Sequence, residues 1–378
     1  MSVFVGPTVQ QALLLHAPRQ RYQLSEIEVP TFHDDEVLIR IEAIGLNPID
    51  HKSADYGFAL PVLPALNGRD LAGVVVGVGS NVQRWRFGDL VFGPSTAYRD
   101  YRTSAFQEFA VASEHCLGSV PVKSSVEQCA ALGVGAVAAA LAIGSALGIA
   151  IRGFAPRSLA IGAEGESPEW VKTTGSPTPI QEPSAQFGDW ILIWGGSTTS
   201  GYLAAQLAQT AGLRVIAVAN RERHEERLRA VGIEHVVDRD DPIAAVAKIR
   251  EITGGALRYA IDCVGKTSAS HALEALSLSA DTYLVGLSGL PKTARSGVRL
   301  CEVKTDLDLY QPIKTFHTNA AVGSGLMRLL EELIDNNELV LPAVEVIHGG
   351  LEAVNNGLDR LRRGECGFGR IVVRISHA

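Results

Sequence analysis

The chain has 378 residues, 46% of them hydrophobic and 20% charged, with a net charge of −7. That length fits two domains of ordinary size and that composition a soluble globular protein, and with no basic tract, nucleic acid and anionic membrane surfaces are excluded as expected partners. The five cysteines, Cys116, Cys129, Cys263, Cys301 and Cys366, stand singly, which fits reduced cytoplasmic thiols rather than a disulfide framework or a zinc knuckle.

The N-terminal MSVFVGPTVQQALLLHAPRQ lacks a basic n-region, and its apolar run is too short for a signal peptide. Up to about residue 128 the chain reads as strands and turns: EVLIRIEAIGLN, LAGVVVGVGS and FGDLVFG are β-branched or alternating runs bounded by Gly, Asn, Pro and Asp. Residues 129–151 then run for 23 positions without a charge. A bilayer needs ~20 apolar residues, but Ala and Gly dominate here and few large side chains favour lipid. The segment is read as a helix packed deep between two domains, its small residues letting a ligand approach the backbone. Residues 155–186, rich in Pro, Ser, Gly and Glu, form a loop long enough to be either a surface excursion or a lid.

Strand and helix alternate over roughly residues 188–290. WILIW runs into GGSTTSG, and beyond Gly201 the residues Leu203, Leu207 and Ala211 share one helix face. LRVIAVAN is a buried strand, ERHEERLRAVG a charged surface helix and HVVD a short strand. DDPIAAVAKIREITGG is a helix with Pro near its start and Gly at its end, and LRYAIDCVG and DTYLVGLSG are two further strands around the helical SASHALEALS. That period means a doubly wound parallel sheet. The end of the chain is mixed, with GSGLMRLLEELIDNNEL helical and FGRIVVRI a strand.

The glycine turn departs from the dinucleotide fingerprint. G-x-G-x-x-G counted back from Gly201 requires glycine at 196, 198 and 201, and position 198 is Thr. Gly196 and Gly201 keep the tight turn and the close helix–strand packing, with Gly195 as an additional hinge. Thr198 brings a Cβ that pushes phosphates outward, while Ser197, Thr198, Thr199 and Ser200 offer hydroxyl donors beside the helix N-terminus. A serine- and threonine-rich cap that binds nothing would look the same. The second strand decides between them. A NAD site places an Asp or Glu about 20 residues on, against the ribose 2′-hydroxyl; here Asn220 stands there, followed by Arg221, with Arg239 beyond the next strand. A neutral side chain followed by guanidinium groups attracts a 2′-phosphate that a carboxylate would repel. Arg221 is read as contacting NADPH, while Arg223 and Arg227 are read as pairing with Glu222, Glu225 and Glu226 on a solvated face.

Over essentially its whole length the chain resembles the medium-chain dehydrogenase/reductase superfamily. The resemblance is carried by EVLIRIEAIGLNPIDHKSAD, NGRDLAGVVVGVGSNVQRWRFGDLVFG, the 129–151 helix, GGSTTSG and GFGRIVVRI. It implies an α/β fold: a GroES-like β-rich catalytic domain over residues 1–151, a Rossmann domain over 152–312 with the 155–186 loop, and a return to the catalytic domain over 313–378. NPIDHK and GGSTTSG look most like the zinc-independent quinone oxidoreductase branch and the fungal trans-acting enoyl reductases of polyketide biosynthesis. The zinc-ligand positions of metal-dependent members fall here on Leu46, Arg69-Asp70 and Gly133, which is not a converging set of Cys, His and carboxylate. No metal is expected, and reduction of a conjugated C=C is the chemistry that remains feasible.

By resemblance, Pro48, Ile49, Asp50 and His51 in the NPIDHK loop lie against the nicotinamide ribose, with Lys52, His51 and Tyr56 as candidates for carrying the proton. Each has a plainer reading as an exposed lysine, a hydrogen-bonded histidine or a packing tyrosine. Val264 and Gly265 resemble the segment that passes the nicotinamide, and Arg370 stands where relatives often have Lys near the cofactor. The substrate pocket falls on Gly133, Val134, Gly135, Ala136, Val137, Ala138, Ala139 and Ala140 and on Gly286, Leu287, Ser288 and Gly289. Relatives commonly place a Thr in the former run; its absence here implies a more apolar pocket, suited to a long acyl chain, or else weakened redox chemistry. The expected function is therefore NADPH-dependent, zinc-independent reduction of an α,β-unsaturated polyketide thioester or related enone. Its rivals are a quinone or free-enone reductase, and a reductase-like fold reused for binding or for a non-redox cyclisation or isomerisation. A polyketide synthase acyl carrier domain is the expected partner, met by Arg84 and Arg86 or by Arg99 and Arg102, and the chain is expected as a monomer or homodimer.

Overall fold

A computed structural model describes residues 6–58, 60, 62–97, 99–156, 185–294, 296–303, 312–366 and 369–375. Most of the 155–186 loop lies outside the described residues. The chain divides into two compact units, one running to Val134 and taking in Phe316–Asn337 and the chain from Leu341, the other comprising Gly135–Thr315 and Glu338–Val340.

The chain opens with β1 (Val9–Leu15), β2 (Gln23–Glu28) and the long β3 (Glu36–Gly45). Helix α1 (Pro48–Tyr56) follows, then β4 (Ala65–Leu66), β5 (Asp70–Val78), β6 (Leu90–Pro94), β7 (Phe109–Ser113) and β8 (Gly118–Ser119). Where a loop was expected at NPIDHK, the structure has a helix. Pro48 takes its first turn, where a missing N–H costs nothing, and the Asp50 carboxylate accepts from the Asn47 N–H at 2.7 Å.

The uncharged 129–151 run is not one helix. It breaks into α2 (Val126–Ala130), α3 (Gly133–Leu141) and a π-helical turn at Ala142–Ala146. Only glycine fits at the restart, because a Cβ on residue 133 would lie 2.0 Å from the Asp70 Oδ1. Among the described residues no helix is long and apolar enough to cross a membrane.

The second unit carries β9 (Trp190–Trp194), α4 (Thr199–Thr210), β10 (Arg214–Ala219), α5 (Arg221–Ala230), β11 (His235–Asp238), α6 (Pro242–Thr253), β12 (Tyr259–Asp262), α7 (Lys266–Ala275) and β13 (Thr282–Gly286). A further strand, β14 (Val298–Glu302), extends the sheet beyond the range read from the sequence. All pairings are parallel, in the order β11-β10-β9-β12-β13-β14. Counted within the unit this is 3-2-1-4-5-6, the order of a Rossmann sheet, which reverses between β9 and β12. Its core gathers Leu192, Ile216, Val218, Ile249, Ala260 and Leu284, each large aliphatic side chain worth ~1.5–3 kcal/mol by burial.

The chain then passes through α8 (Pro312–Thr318) and returns to the first unit with α9 (Ala320–Asp335), β15 (Val344–Ile347), α10 (Ala353–Arg362) and β16 (Arg370–Arg374). Asn319 caps α9 by accepting from the Ala321 and Val322 N–H groups at 3.1 and 3.2 Å, and Val322, Leu326, Leu330 and Leu333 form its buried face. The main sheet of this unit runs β15-β16-β3-β5-β6-β8, with β7 also paired to β3; a smaller sheet is ordered β2-β1-β4. Together they make a β-rich unit around Leu13, Ile39, Ile41, Ile44, Val75 and Phe106.

Candidate functional site

Within the second unit, the carboxyl ends of β9, β12 and β13 bring three expected segments together. Gly195 leaves β9 with φ at 88°, a conformation a side chain would strain. A Cβ on Gly201 would lie 2.2 Å from the Gly195 carbonyl oxygen, so α4 starts as close to the strand as backbone allows. Thr198 is not an open donor. Its hydroxyl donates to the Gly195 O at 2.8 Å and accepts from the Gly201 N–H at 3.0 Å, which makes it the N-cap of α4. The hydroxyls left for a phosphate are those of the half-buried Ser197, Thr199 and Ser200.

Across the reversal of strand order, Asp262 ends β12 fully buried and accepts from the Val264 and Gly265 N–H groups at 3.1 and 2.7 Å. It thereby sets the path of the Val264–Gly265 segment. Val264 is about half exposed, and its Cγ2 would be 2.6 Å from a Cβ on Gly195, so this segment flanks the glycine turn. Gly286–Gly289 joins them through the Leu287 N–H, which donates to the Asp262 O at 2.8 Å. Gly135 also approaches the turn, since its Cβ would meet the Thr199 Cγ2 at 3.0 Å. The rest of the small-residue run, Ala136–Ala140, is buried.

At the ends of β10 and β11, Asn220 caps α5, accepting from the Arg223 N–H at 3.0 Å and donating to Asp240 at 3.3 Å. Arg221 pairs with Glu225 at 2.8 Å, and Arg239 lies 3.6 Å from Asp240. The Arg239 N–H donates to the Ala219 O, which places Arg239 beside Asn220. All three expected residues thus converge, and each guanidinium already faces a carboxylate. Arg227 departs from its expected pairing: it stacks over the Tyr202 ring at 4.2 Å.

In the first unit α1 presents three stripes. Lys52 and Tyr56, one turn apart, are exposed, Tyr56 by 75%. His51 contacts Asp55 at 3.1 Å, and Asp55 in turn pairs with Arg362; His51 is therefore held, while Lys52 makes no hydrogen bond or ion pair among the described residues. Pro48 is exposed and Ile49 half-buried. Asp50 turns inward, 1% exposed, and burial pushes its carboxyl up to about 7. The Asn47 N–H and the Arg69 charge pull the other way without cancelling that effect. Among the described residues its Oδ1 has no hydrogen-bond partner.

Asp50 belongs to a buried polar network that sequence reading missed. Asp70, 0% exposed, accepts from Asn47 Nδ2 at 2.9 Å, from Arg370 at 2.9 Å and from the Val134 N–H at 2.7 Å. Beside it, Asn67 donates to the Tyr22 hydroxyl at 2.7 Å and accepts from Arg69 at 3.1 Å. Tyr22 donates to the Asp50 O at 3.1 Å, and burial raises its phenol. The only local signal was a charged pair, Arg69-Asp70, directly before an apolar strand. Arg370 was expected near a cofactor, and here its guanidinium is buried against Asp70.

The positions corresponding to a metal site in zinc-dependent relatives hold the Leu46 core side chain, the committed Asp70 carboxylate and a Gly133 without room for a side chain. Among the described residues no group of three or more His, Cys, Asp and Glu is placed to hold a metal ion. Three of the four arginines proposed for an acidic carrier are engaged within the unit: Arg84 with Glu331, Arg102 with Asp100 and Glu36, and Arg86 with the Gln83 and Trp85 carbonyls. A cavity of about 80 Å³ in this unit is lined by Glu36, Ser95, Thr96, Asp100, Ser113 and His317. It includes none of the expected site residues and is small beside the ~300 Å³ or more of ligand pockets.

The family model described as alcohol dehydrogenase GroES-like domain matches residues 33–146, and the one described as zinc-binding dehydrogenase matches residues 201–308. The enoyl reductase component of the lovastatin nonaketide synthase of Aspergillus terreus is 27% identical, over 98% of this chain and 98% of its own. A trans-enoyl reductase of Aspergillus niger is 29% identical over 95% of each. Among solved structures, an alcohol dehydrogenase superfamily protein from Novosphingobium aromaticivorans superimposes with a TM-score of 0.76 at 22% identity, covering 97% of this chain and 100% of that one.

Proposed function

The chain belongs to the medium-chain dehydrogenase/reductase superfamily of oxidoreductases, and from that premise we propose that it is an NADPH-dependent, zinc-independent ene-reductase acting on an α,β-unsaturated polyketide thioester. Full-length similarity to fungal trans-enoyl reductases supports the substrate class. The observation that carries the cofactor assignment is the end of β10, where Asn220 stands in place of an Asp or Glu and Arg221 and Arg239 converge on it, their present partners being Glu225 and Asp240. Ser197, Thr199, Ser200 and the N–H groups opening α4 hold the pyrophosphate. Arg221, released from Glu225, takes the 2′-phosphate. Val264–Gly265, anchored by Asp262, lines the nicotinamide side of the reversal point.

When bound, the reduced nicotinamide supplies the hydride for the β-carbon. The protein must then steady the enolate and deliver a proton to the α-carbon. The exposed stripe of α1 suits that task, because Lys52 and Tyr56 lie at (i, i+4) spacing and both are open to a ligand. A zinc-free reaction fits the donor set, in which Asp70 is committed to three hydrogen bonds.

Two measurements test the reading. Arg221→Ala is expected to weaken NADPH about tenfold, ~1.4 kcal/mol, and to leave NADH unchanged; equal affinity for the two cofactors in the parent protein defeats the assignment. NADPH oxidation with a crotonyl or longer 2-enoyl thioester is expected to fall about 10²-fold or more in Lys52→Met and less in Tyr56→Phe, in the range of general acid catalysis. Preferential turnover of quinones over thioesters would favour the quinone reductase reading.

A further inference from the structure

We infer that Asp70 is a positioning residue: its buried carboxylate fixes α1, the start of α3 and Arg370 in one arrangement, and so places the Lys52–Tyr56 stripe. The inference rests on the proposed reductase function for its catalytic consequence and on the Asp70 geometry alone for its structural part.

Asp70 is the first residue of β5 and is fully buried. Its Oδ2 takes the Nδ2 of Asn47, the N-cap of α1, and the guanidinium of Arg370 at the start of β16. Its Oδ1 takes the Val134 N–H in the first turn of α3, where the helix dipole favours a negative charge. One side chain therefore joins segments that are distant in sequence and contain expected ligand-facing residues. Backbone shape is adapted to it, since any Cβ at position 133 would collide with Oδ1.

A carboxylate is the side chain this hub requires. Three donors converge on it, one of them a buried cation, and an amide in its place turns an N–H₂ toward at least one of them. That leaves a buried donor unpaired and Arg370 without its counter-charge. Arg370 has no slack to absorb the loss, because among the described residues its Nε already lacks a partner. In α1 the consequence falls first on Asn47, whose loosened side chain frees the helix start and, with it, the placement of Lys52.

Asp70→Asn tests this with two readouts. Hydrogen exchange of the α1 amides is expected to accelerate at least tenfold, with exchange in α4 and α5 of the second unit unchanged. NADPH is expected to bind with unaltered stoichiometry and affinity while kcat on the enoyl thioester falls about thirtyfold. A role in folding alone predicts reduced NADPH stoichiometry and an unaltered kcat per bound cofactor, and that result overturns the inference. Unchanged α1 exchange overturns it too, whether or not any substrate is turned over. A parent protein inactive on every enoyl thioester sinks the functional reading instead and leaves the exchange result to decide this one. If Asp70→Asn does not fold, Asn47→Ser keeps a capping oxygen for α1 and removes the Nδ2 donor to Asp70; it must still speed α1 exchange and lower kcat several-fold, and unaltered values overturn the inference.

Discussion

Gly201→Val is expected to abolish dinucleotide binding and leave the first unit folded. The β-branched bulk is not what matters most; the Cβ alone suffices. It would sit 2.2 Å from the Gly195 carbonyl oxygen and 2.9 Å from the carbon, and both are backbone atoms that end β9 and cannot swing aside. Relief requires α4 to withdraw from the strand. That breaks the Thr198 cap, whose hydroxyl bridges the Gly195 O and the Gly201 N–H, and it carries the N–H groups at the helix start away from the crevice. Overpacking of this kind costs ~1–3 kcal/mol in stability. The ligand loses more, because the oriented N–H groups are what the anion binds. NADPH affinity is expected to fall at least ~100-fold, about 2.7 kcal/mol. Fluorescence titration measures it, and circular dichroism establishes that the variant is folded. A dissociation constant within threefold of the parent would mean that the pyrophosphate is not held at this turn, and the assignment of the turn would be lost.

The same turn shows how far local sequence carries. Gly195, Gly196 and Gly201 were legible because each glycine answers to a local need, a tight bend or a helix against a strand. The alternation of β9 to β13 with α4 to α7 was legible because apolar periodicity is also local. Thr198 is only half legible: a threonine in the place of the middle glycine reads as a phosphate donor, but its hydroxyl closes the turn on itself, a choice that depends on where the Gly195 O points. β14 follows an irregular stretch after Leu290, and its short V-R-L-C-E alternation carries little weight until β13 is there to pair with it. The α1 helix hid behind its polar composition, although Asn47, Pro48 and Asp50 spell a helix start. The Asp70 network was the least legible. Its bonds join residues 23, 64 and 300 positions apart, and no period or motif links such partners before the fold assembles them.

Asp50→Asn is expected to stabilise the protein above pH 7 and to make no such difference near pH 4. Asp50 is 1% exposed, and its carboxyl stands at about 7 instead of the ordinary 3.8, chiefly because burial disfavours the charged form. The groups around it do not reverse that: Arg69 and Arg370 favour ionisation, Asp70 opposes it, and among the described residues the Asn47 N–H is the single hydrogen bond its side chain receives. A carboxyl raised in the folded state is protonated there at pH values where the unfolded chain is already ionised. Its contribution to stability is therefore complete below the unfolded value of 3.8 and declines as pH rises, until it levels off above about 7. Three pH units at ~1.4 kcal/mol each set an upper bound of ~4 kcal/mol. An asparagine keeps an oxygen for the Asn47 N–H and carries no charge to bury. Its N–H₂ falls where Oδ1 now lacks a partner, and an unpaired buried donor returns ~1–3 kcal/mol of the gain. Net stabilisation of ~1–3 kcal/mol at pH 8.5 follows. Urea unfolding at pH 4.5, 6.5 and 8.5 measures it: the midpoint of the parent should fall across this series relative to the variant. Parallel pH profiles for the two proteins would show that Asp50 ionises in the folded chain as readily as in the unfolded one, and that its burial is compensated by Arg69 and Arg370 after all.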